Sequence, residues 1–155
     1  VLRPGGLYIS LLISYFILLR NQPDGAYWVL LTFLCTWLCD SGAYLAGSNL
    51  GRHGFFTHIS PKKTVEGAIG GVLAGTVAAL LAVPFLNVPF VHAFLLGIAV
   101  SLAATFGDLA ESLIKRQLKA KDSGRTIPGH GGFLDRMDSL LFAVVVVYYY
   151  AVWIH

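Results

Sequence analysis

The chain has 155 residues, 56% of them hydrophobic and 12% charged, with a net charge of +3. Soluble domains carry about 25% charged residues, so a water-facing globule is excluded and a lipid bilayer is the expected solvent. Nine of the eleven lysines and arginines fall in two segments, 48–66 and 111–136, and no long basic face or aromatic-basic interleaving speaks for nucleic acid as a partner.

About 20 apolar residues cross a bilayer as a helix. Five segments approach that length, which predicts an all-α fold: a polytopic integral membrane helix bundle of about five transmembrane helices. The first runs over 6–19. It is short enough to pass for a signal-peptide core, but no small-residue cleavage site follows, so it reads as a span. The chain begins at Val1 rather than Met and is expected to be a fragment of a protein with earlier spans. Pro23-Asp24-Gly25 signals a turn. The second span runs over 26–47, and its Cys35 and Cys39 read as packing residues rather than a disulfide or metal pair. The third runs over 67–86 and opens with Gly67, Gly70, Gly71 and Gly75, a small-residue stripe that permits close helix contact. Pro84 and Pro89 bracket a tight turn at Asn87. The fourth runs from Phe90 through about Leu109 and is expected to continue as helix into Lys115. The fifth runs over 137–154, where three tyrosines and Trp153 suit a membrane interface. Residues 1–25 thus form an N-terminal transmembrane segment and turn, and 26–155 a larger membrane domain.

Five spans put segments 48–66 and 111–136 on one side of the membrane. The positive-inside rule makes that side cytoplasmic. Between the last two spans, residues 112–138 gather Lys115, Arg116, Lys119, Lys121, Arg125 and Arg136 with Asp122, Asp135 and Asp138, around a glycine-rich centre at Gly129-His130-Gly131-Gly132. Asp108, Glu111, Ser112 and Lys115 follow i, i+3, i+4, i+7 spacing and share one helical face. Ionisable groups at membrane depth face a cavity, a metal or a partner; an interhelical polar clamp fits equally well. Asp135 and Asp138 share one face of a helix start, where acids serve either as helix-end charges or, with Asp108 from a neighbouring helix end, as ligands for a hard cation. The lysines and arginines suit phosphate, though ordinary loop charge accounts for some, such as Lys119. His130 fits a phosphate donor and a turn cap alike. Upstream, Asp40 and Tyr44 share a face at the end of the second span. Ser60-Pro61 reads as a helix start, and Lys62 and Lys63, followed by Thr64, make it an anion seat.

Together these residues resemble the phosphatidate cytidylyltransferase family, the CDP-diacylglycerol synthases. The resemblance rests on Ser112, Lys115-Arg116, Lys121-Asp122, Gly124, Ile127, Pro128-Gly129-His130-Gly131-Gly132, Asp135-Arg136 and Asp138. It extends to Asp40-Ser41-Gly42-Ala43-Tyr44, Ser60-Pro61-Lys62-Lys63-Thr64, Glu66-Gly67 and Gly107-Asp108. It implies that residues 26–155 are the catalytic C-terminal membrane domain, joining CTP to phosphatidate with Mg2+, as one or two ions, and releasing pyrophosphate. It further implies metal ligands at Asp108 and Asp135, with Asp138 as a third candidate, and phosphate contacts at Lys62, Lys63, Lys115, Arg116, Lys121 and Arg136. Ser112, Asp122 and His130 join the catalytic set, and Asp40, Tyr44 and Thr64 the nucleotide side. The implied partners are CTP, phosphatidate and membrane lipid, with no nucleic acid and, as members are often dimeric, a second copy. The implied location is the cell's inner (plasma) membrane with the site facing the cytoplasm.

Three other readings compete. A CDP-archaeol synthase or a CTP-dependent polyprenol kinase would share much of the chemistry. A transporter would place polar residues near mid-span on several helices; here they gather at span ends on one side, which favours a surface enzyme.

Overall fold

The computed structural model describes residues 4–55, 63–117 and 134–154, with the backbone alone over 4–9, 11–12, 111, 114–117 and 134–138. The helices are α1 (Pro4–Arg20), α2 (Gly25–Leu50), α3 (Val65–Leu81), α4 (Val83–Leu86), α5 (Phe90–Gln117) and α6 (Leu134–Ile154). Among the described residues the only β pairing is an isolated antiparallel bridge between Gly54 and Thr64.

The ends of the elements follow from local chemistry. Asp24 adopts a left-handed conformation at φ 53°, which Asp tolerates better than most residues. Gly25 then starts α2 so close to the end of α1 that a Cβ would lie 2.2 Å from the Arg20 carbonyl oxygen. The expected third span is broken in two at Ala82. Pro84 explains the break, since it lacks an N–H and its ring clashes with the carbonyl four residues back in a continuous helix. Asn87 closes α4 in the left-handed region at φ 50°. Helix α5 runs past Leu109 to Gln117, as the extended polar face predicts, and α6 starts at Leu134, slightly ahead of the expected 137.

Helices α2 and α3 pack along one another, α5 packs on α3 and α6, and α1 leans on α6 and α2. The core gathers Leu19, Trp28, Leu31, Cys35, Val100, Val144 and Val147, all essentially inaccessible. Hydroxyls buried in it are satisfied on their own helices: Thr32 donates to the Trp28 carbonyl at 2.9 Å and Ser101 to the Gly97 carbonyl at 2.7 Å. Such back-bonding lets a polar side chain sit in an apolar interior without an unmet group.

The outer faces are greasy. Val65, Ile69, Leu73, Val77 and Leu81 form an exposed stripe at every fourth position of α3, and Leu30, Leu34, Trp37 and Leu45 are exposed along α2. Water would penalise such a surface heavily; lipid does not. Helices Gly25–Leu50 and Phe90–Ala110 are long and apolar enough to cross a membrane, and Val65–Leu81 and Ser139–Ile154 are shorter apolar helices. Among the described residues every regular element is a helix, and the apolar outer faces fit a membrane protein.

Candidate active site

Glycine brings the site's helices together. A Cβ on Gly70 would stand 2.3 Å from the Ala46 Cβ, one on Gly42 2.5 Å from the Ala74 Cβ, and one on Gly67 2.9 Å from the Ala43 carbonyl oxygen. The stripe read from the sequence is therefore a seam on which the second half of α2 and the first half of α3 touch backbone to backbone. On the neighbouring face Cys39 of α2 reaches α5, its Sγ lying 3.7 Å from the Ser101 carbonyl and 4.0 Å from Thr105 Oγ1.

The chain leaving α2 folds back on the strand-like residues that precede α3. The Phe55 N–H donates to the Lys63 carbonyl at 2.7 Å, and the Val65 N–H to the His53 carbonyl at 2.9 Å. Thr64 is the N-cap of α3, accepting from the Gly67 N–H at 3.1 Å. The helix thus begins at Val65, not at Ser60-Pro61, and Lys63 stands ahead of it in an extended segment. The physical reason is the bridge: residues 63–65 spend their backbone groups on residues 53–55 before the helix can start. Thr64 is occupied as a cap and packs against Gly47 and Gly51.

Glu66, in the first turn of α3 and ahead of its apolar run, ties the loop down. Its Oε1 lies 2.6 Å from His53 Nδ1, and its Oε2 accepts the His53 backbone N–H at 3.2 Å. A carboxylate can only accept here, which places the proton on Nδ1. The His53 side chain is the main cause holding the Glu66 carboxyl down at about 2, and the backbone N–H of Glu66 itself comes next. Slight burial opposes the shift, and the N–H groups of Arg52 and His53 add to it.

With its backbone fixed in this way, Lys63 reaches across to α5 and pairs with Asp108, Nζ to Oδ2 at 2.5 Å. The ammonium nitrogen is buried. Although it touches Asp108, it has no well-aligned hydrogen bond among the described residues. The contact is therefore a Coulombic pair with donor capacity to spare. Asp108 is 41% exposed at its side chain, open enough for another partner. Ser112, one turn on, donates to the Asp108 carbonyl at 2.8 Å, so Asp108 and Ser112 share the expected face.

At the opposite end His92 of α5 meets Tyr150 of α6 at 2.9 Å. Asp108 lies 16 residues after His92, and Asp135 lies 15 before Tyr150. At about 1.5 Å per residue these offsets are roughly 24 and 22 Å. The antiparallel register therefore sets the Asp135 backbone level with Asp108. The side chains of Glu111, Lys115, Arg116, Asp135, Arg136 and Asp138 lie outside the description, as do Lys62, Lys121, Asp122 and His130 altogether. Tyr44 is 74% exposed, off the seam, and Asp40 is exposed on the same stretch of α2. His53 is the residue that the sequence did not single out. It is thirteen positions from Glu66, and no helical or strand period links the two; only the bridge does.

Among the described residues no group of three His, Cys, Asp or Glu side chains forms a metal cage. A magnesium site does not need one, because Mg2+ is held by one or two carboxylates completed by waters and substrate phosphates. The Asp108 carboxylate, with hard oxygens and partial exposure, fits that donor chemistry.

A lipid-facing helical bundle with an ion-paired lysine and a carboxylate at one end defines a membrane protein suited to binding phosphates. The cytidylyltransferase family model matches residues 5–154, and the chain belongs to the cytidylyltransferase family. It is 40% identical over 146 residues to a phosphatidate cytidylyltransferase of Bacillus subtilis (strain 168), covering 92% of this chain and 54% of that protein. It is 44% identical over 135 residues to that of Synechocystis sp., covering 86% and 46%. Against that of Staphylococcus saprophyticus it is 40% identical over 134 residues, covering 85% and 52%. The chain spans about half the length of the curated relatives it matches.

Proposed function

We propose that this chain carries the phosphate-handling part of a phosphatidate cytidylyltransferase, which joins CTP to phosphatidate to give CDP-diacylglycerol and pyrophosphate. The observation that carries the reading is the buried Lys63 ammonium held on Asp108 at the bundle end from which the basic linker departs. The relatives' names supply the substrates. In this reading a phosphate oxygen of phosphatidate attacks the α-phosphorus of CTP. The bond from that phosphorus to the β-bridging oxygen breaks, and pyrophosphate leaves with the electron pair. The nucleophile is already an anion, so the protein needs no strong base. Its task is to align two polyanions and offset their repulsion.

Lys63 binds nucleotide phosphate with the donor capacity that Asp108 leaves unused. Lys62, Lys115, Arg116, Lys121 and Arg136 are assigned to the remaining phosphate oxygens, with Ser112, Asp122 and His130 beside them and Asp40, Tyr44 and Thr64 on the nucleotide side. Asp108, Asp135 and Asp138 would hold Mg2+, which when bound supplies charge neutralisation and a template for the phosphates.

The same reading makes residues 26–155 the catalytic membrane domain. It makes α1, α2, α3 with α4, α5 and α6 five crossings of the inner membrane, with segments 48–66 and 111–136 in the cytoplasm. Ser48→Cys and Ser123→Cys should then react with an impermeant thiol reagent from one side only. The deciding experiment is radiolabelled CTP with phosphatidate in mixed micelles and Mg2+. Label should pass into a CDP-lipid with one pyrophosphate released per lipid. Phosphate release without labelled lipid overturns the reading.

A further inference from the structure

Lys63 is flexible, with four rotatable bonds, yet its ammonium is buried on one carboxylate. Its own segment cannot provide that precision, because Lys63 precedes α3 and lies outside the helix's hydrogen-bond ladder. The precision comes from residues 51–55. Two backbone bonds, Phe55 N–H to the Lys63 carbonyl and Val65 N–H to the His53 carbonyl, hold the lysine's own carbonyl and the residue two places on. Both would slide if the loop moved. The loop is held in place by Glu66, which grips His53 twice, at its ring and at its backbone N–H. An exposed ion pair between single side-chain atoms contributes little. A carboxylate that takes both the ring and the main chain of one residue fixes a backbone position.

We propose that His53 and Glu66 are positioning residues, a clamp that sets Lys63 against Asp108 and thereby fixes how tightly the nucleotide triphosphate is held. For its ligand the clamp rests on the cytidylyltransferase reading; as a device it rests on the geometry. Neither residue needs to touch substrate.

Two measurements test it in the membrane-embedded protein. The first reads the kinetics. Glu66→Ala and His53→Ala should each raise KM for CTP about tenfold with kcat within about threefold. His53→Asn, which keeps an N–H donor for Glu66, should stay within about threefold of the unsubstituted protein in KM. Added to Lys63→Ala, Glu66→Ala should change nothing further, because both remove one interaction. Full additivity overturns the proposal, as does an unaltered KM in Glu66→Ala.

The second measurement does not need turnover. In a chain carrying Cys35→Ala and Cys39→Ala, the pair Lys63→Cys and Asp108→Cys is bridged by a bis-methanethiosulfonate about as long as a lysine side chain. Bridging should slow at least about fivefold when Glu66→Ala is added, since the backbone of residue 63 then loses its fixed distance to α5. Unchanged bridging overturns the clamp whatever the CTP assay gives. Slowed bridging together with no CTP turnover, even in the unsubstituted protein, sustains the clamp and overturns the cytidylyltransferase reading instead.

Discussion

The two ends of the bundle are built from opposite materials. At the end carrying Lys63 and Asp108, helices meet through Gly42, Gly67 and Gly70, against backbone and small side chains such as Ala46 and Ala74. At the other end they meet through rings. Tyr15 packs edge-on against Tyr148 with centroids 5.4 Å apart, Trp28 against Tyr150 at 5.9 Å, and His92 stacks on Trp153 at 6.1 Å. Large rings fill space and tolerate small shifts, because their attraction is spread over many weak contacts. Backbone contact through glycine tolerates almost none. The rigid seam lies at the end with the charges, where a displacement of about 1 Å costs most.

The sharpest way to break this contrast is to remove one charge at the rigid end and one polar atom at the other. Asp108→Asn keeps shape and loses the partner of Lys63. CDP-lipid formation should fall about 10²–10³-fold, with membrane insertion and helical content retained. Tyr150→Phe deletes the His92 hydrogen bond and should leave turnover within about twofold, since it lies some 20 Å away along the helix. Near-normal turnover in Asp108→Asn at low Mg2+ would remove that carboxylate from the site.

Lys63→Ala comes next in size. The use of limiting CTP should fall about tenfold or more while protein abundance holds, and wild-type kinetics at limiting CTP would take the lysine out of the nucleotide contacts.

The rough arrangement of both ends was legible in the sequence. The small-residue stripe predicted the seam because glycine in an apolar helix has few other uses. The tyrosines and Trp153 were read as suited to a membrane interface, and their packing between helices was not legible. The polar face from Asp108 through Ser112 predicted that α5 outruns its apolar stretch. What was not legible depends on pairing between distant residues. The start of α3 was placed at Ser60-Pro61 because a serine before a proline is a strong local signal; the bridge to residues 53–55 overrides it from outside the window. His53 and Glu66 are invisible as a pair for the same reason. The Pro84 break was half legible: the proline marked a turn, but its ring acts on the carbonyl four residues before the proline, well ahead of the turn at Asn87.

The seam can be tested without any assay of function. Gly70→Val would push branched carbons into Ala46 and the Gly42 carbonyl, and overpacking of this kind costs about 1–3 kcal/mol. Thermal unfolding in detergent should move down accordingly. The same valine at Leu73, which faces outward, should shift it far less. Equal shifts would mean that the seam is not a tight contact.

The smallest effect is titration of the clamp. The Glu66 carboxyl is lowered from 4.5 to about 2. A lowered acid stabilises the fold above its unfolded value and loses that contribution as the pH falls through its folded one. The clamp should therefore be at full strength above about pH 4.5 and weaken steadily toward pH 2. The rate of bridging between positions 63 and 108, divided at each pH by that of the same pair with Glu66→Ala so that protonation of the thiols cancels, should hold its plateau down to about pH 4.5. A decline that begins near neutrality would assign the control to another group.

The buried nitrogen of Lys63 has a consequence for how an anion arrives. A lysine in water must shed its hydration shell before it can bind phosphate, and that dehydration slows and weakens capture. Here folding has already stripped the ammonium and given it a carboxylate in place of water. An incoming triphosphate meets a cation already stripped of water and takes up the donors that Asp108 leaves unused, with little rearrangement of solvent. Because the ammonium nitrogen is buried, added salt screens it less than it would a charge on an open surface. Binding at this lysine should therefore persist at ionic strengths that release phosphate from a lysine on an open surface.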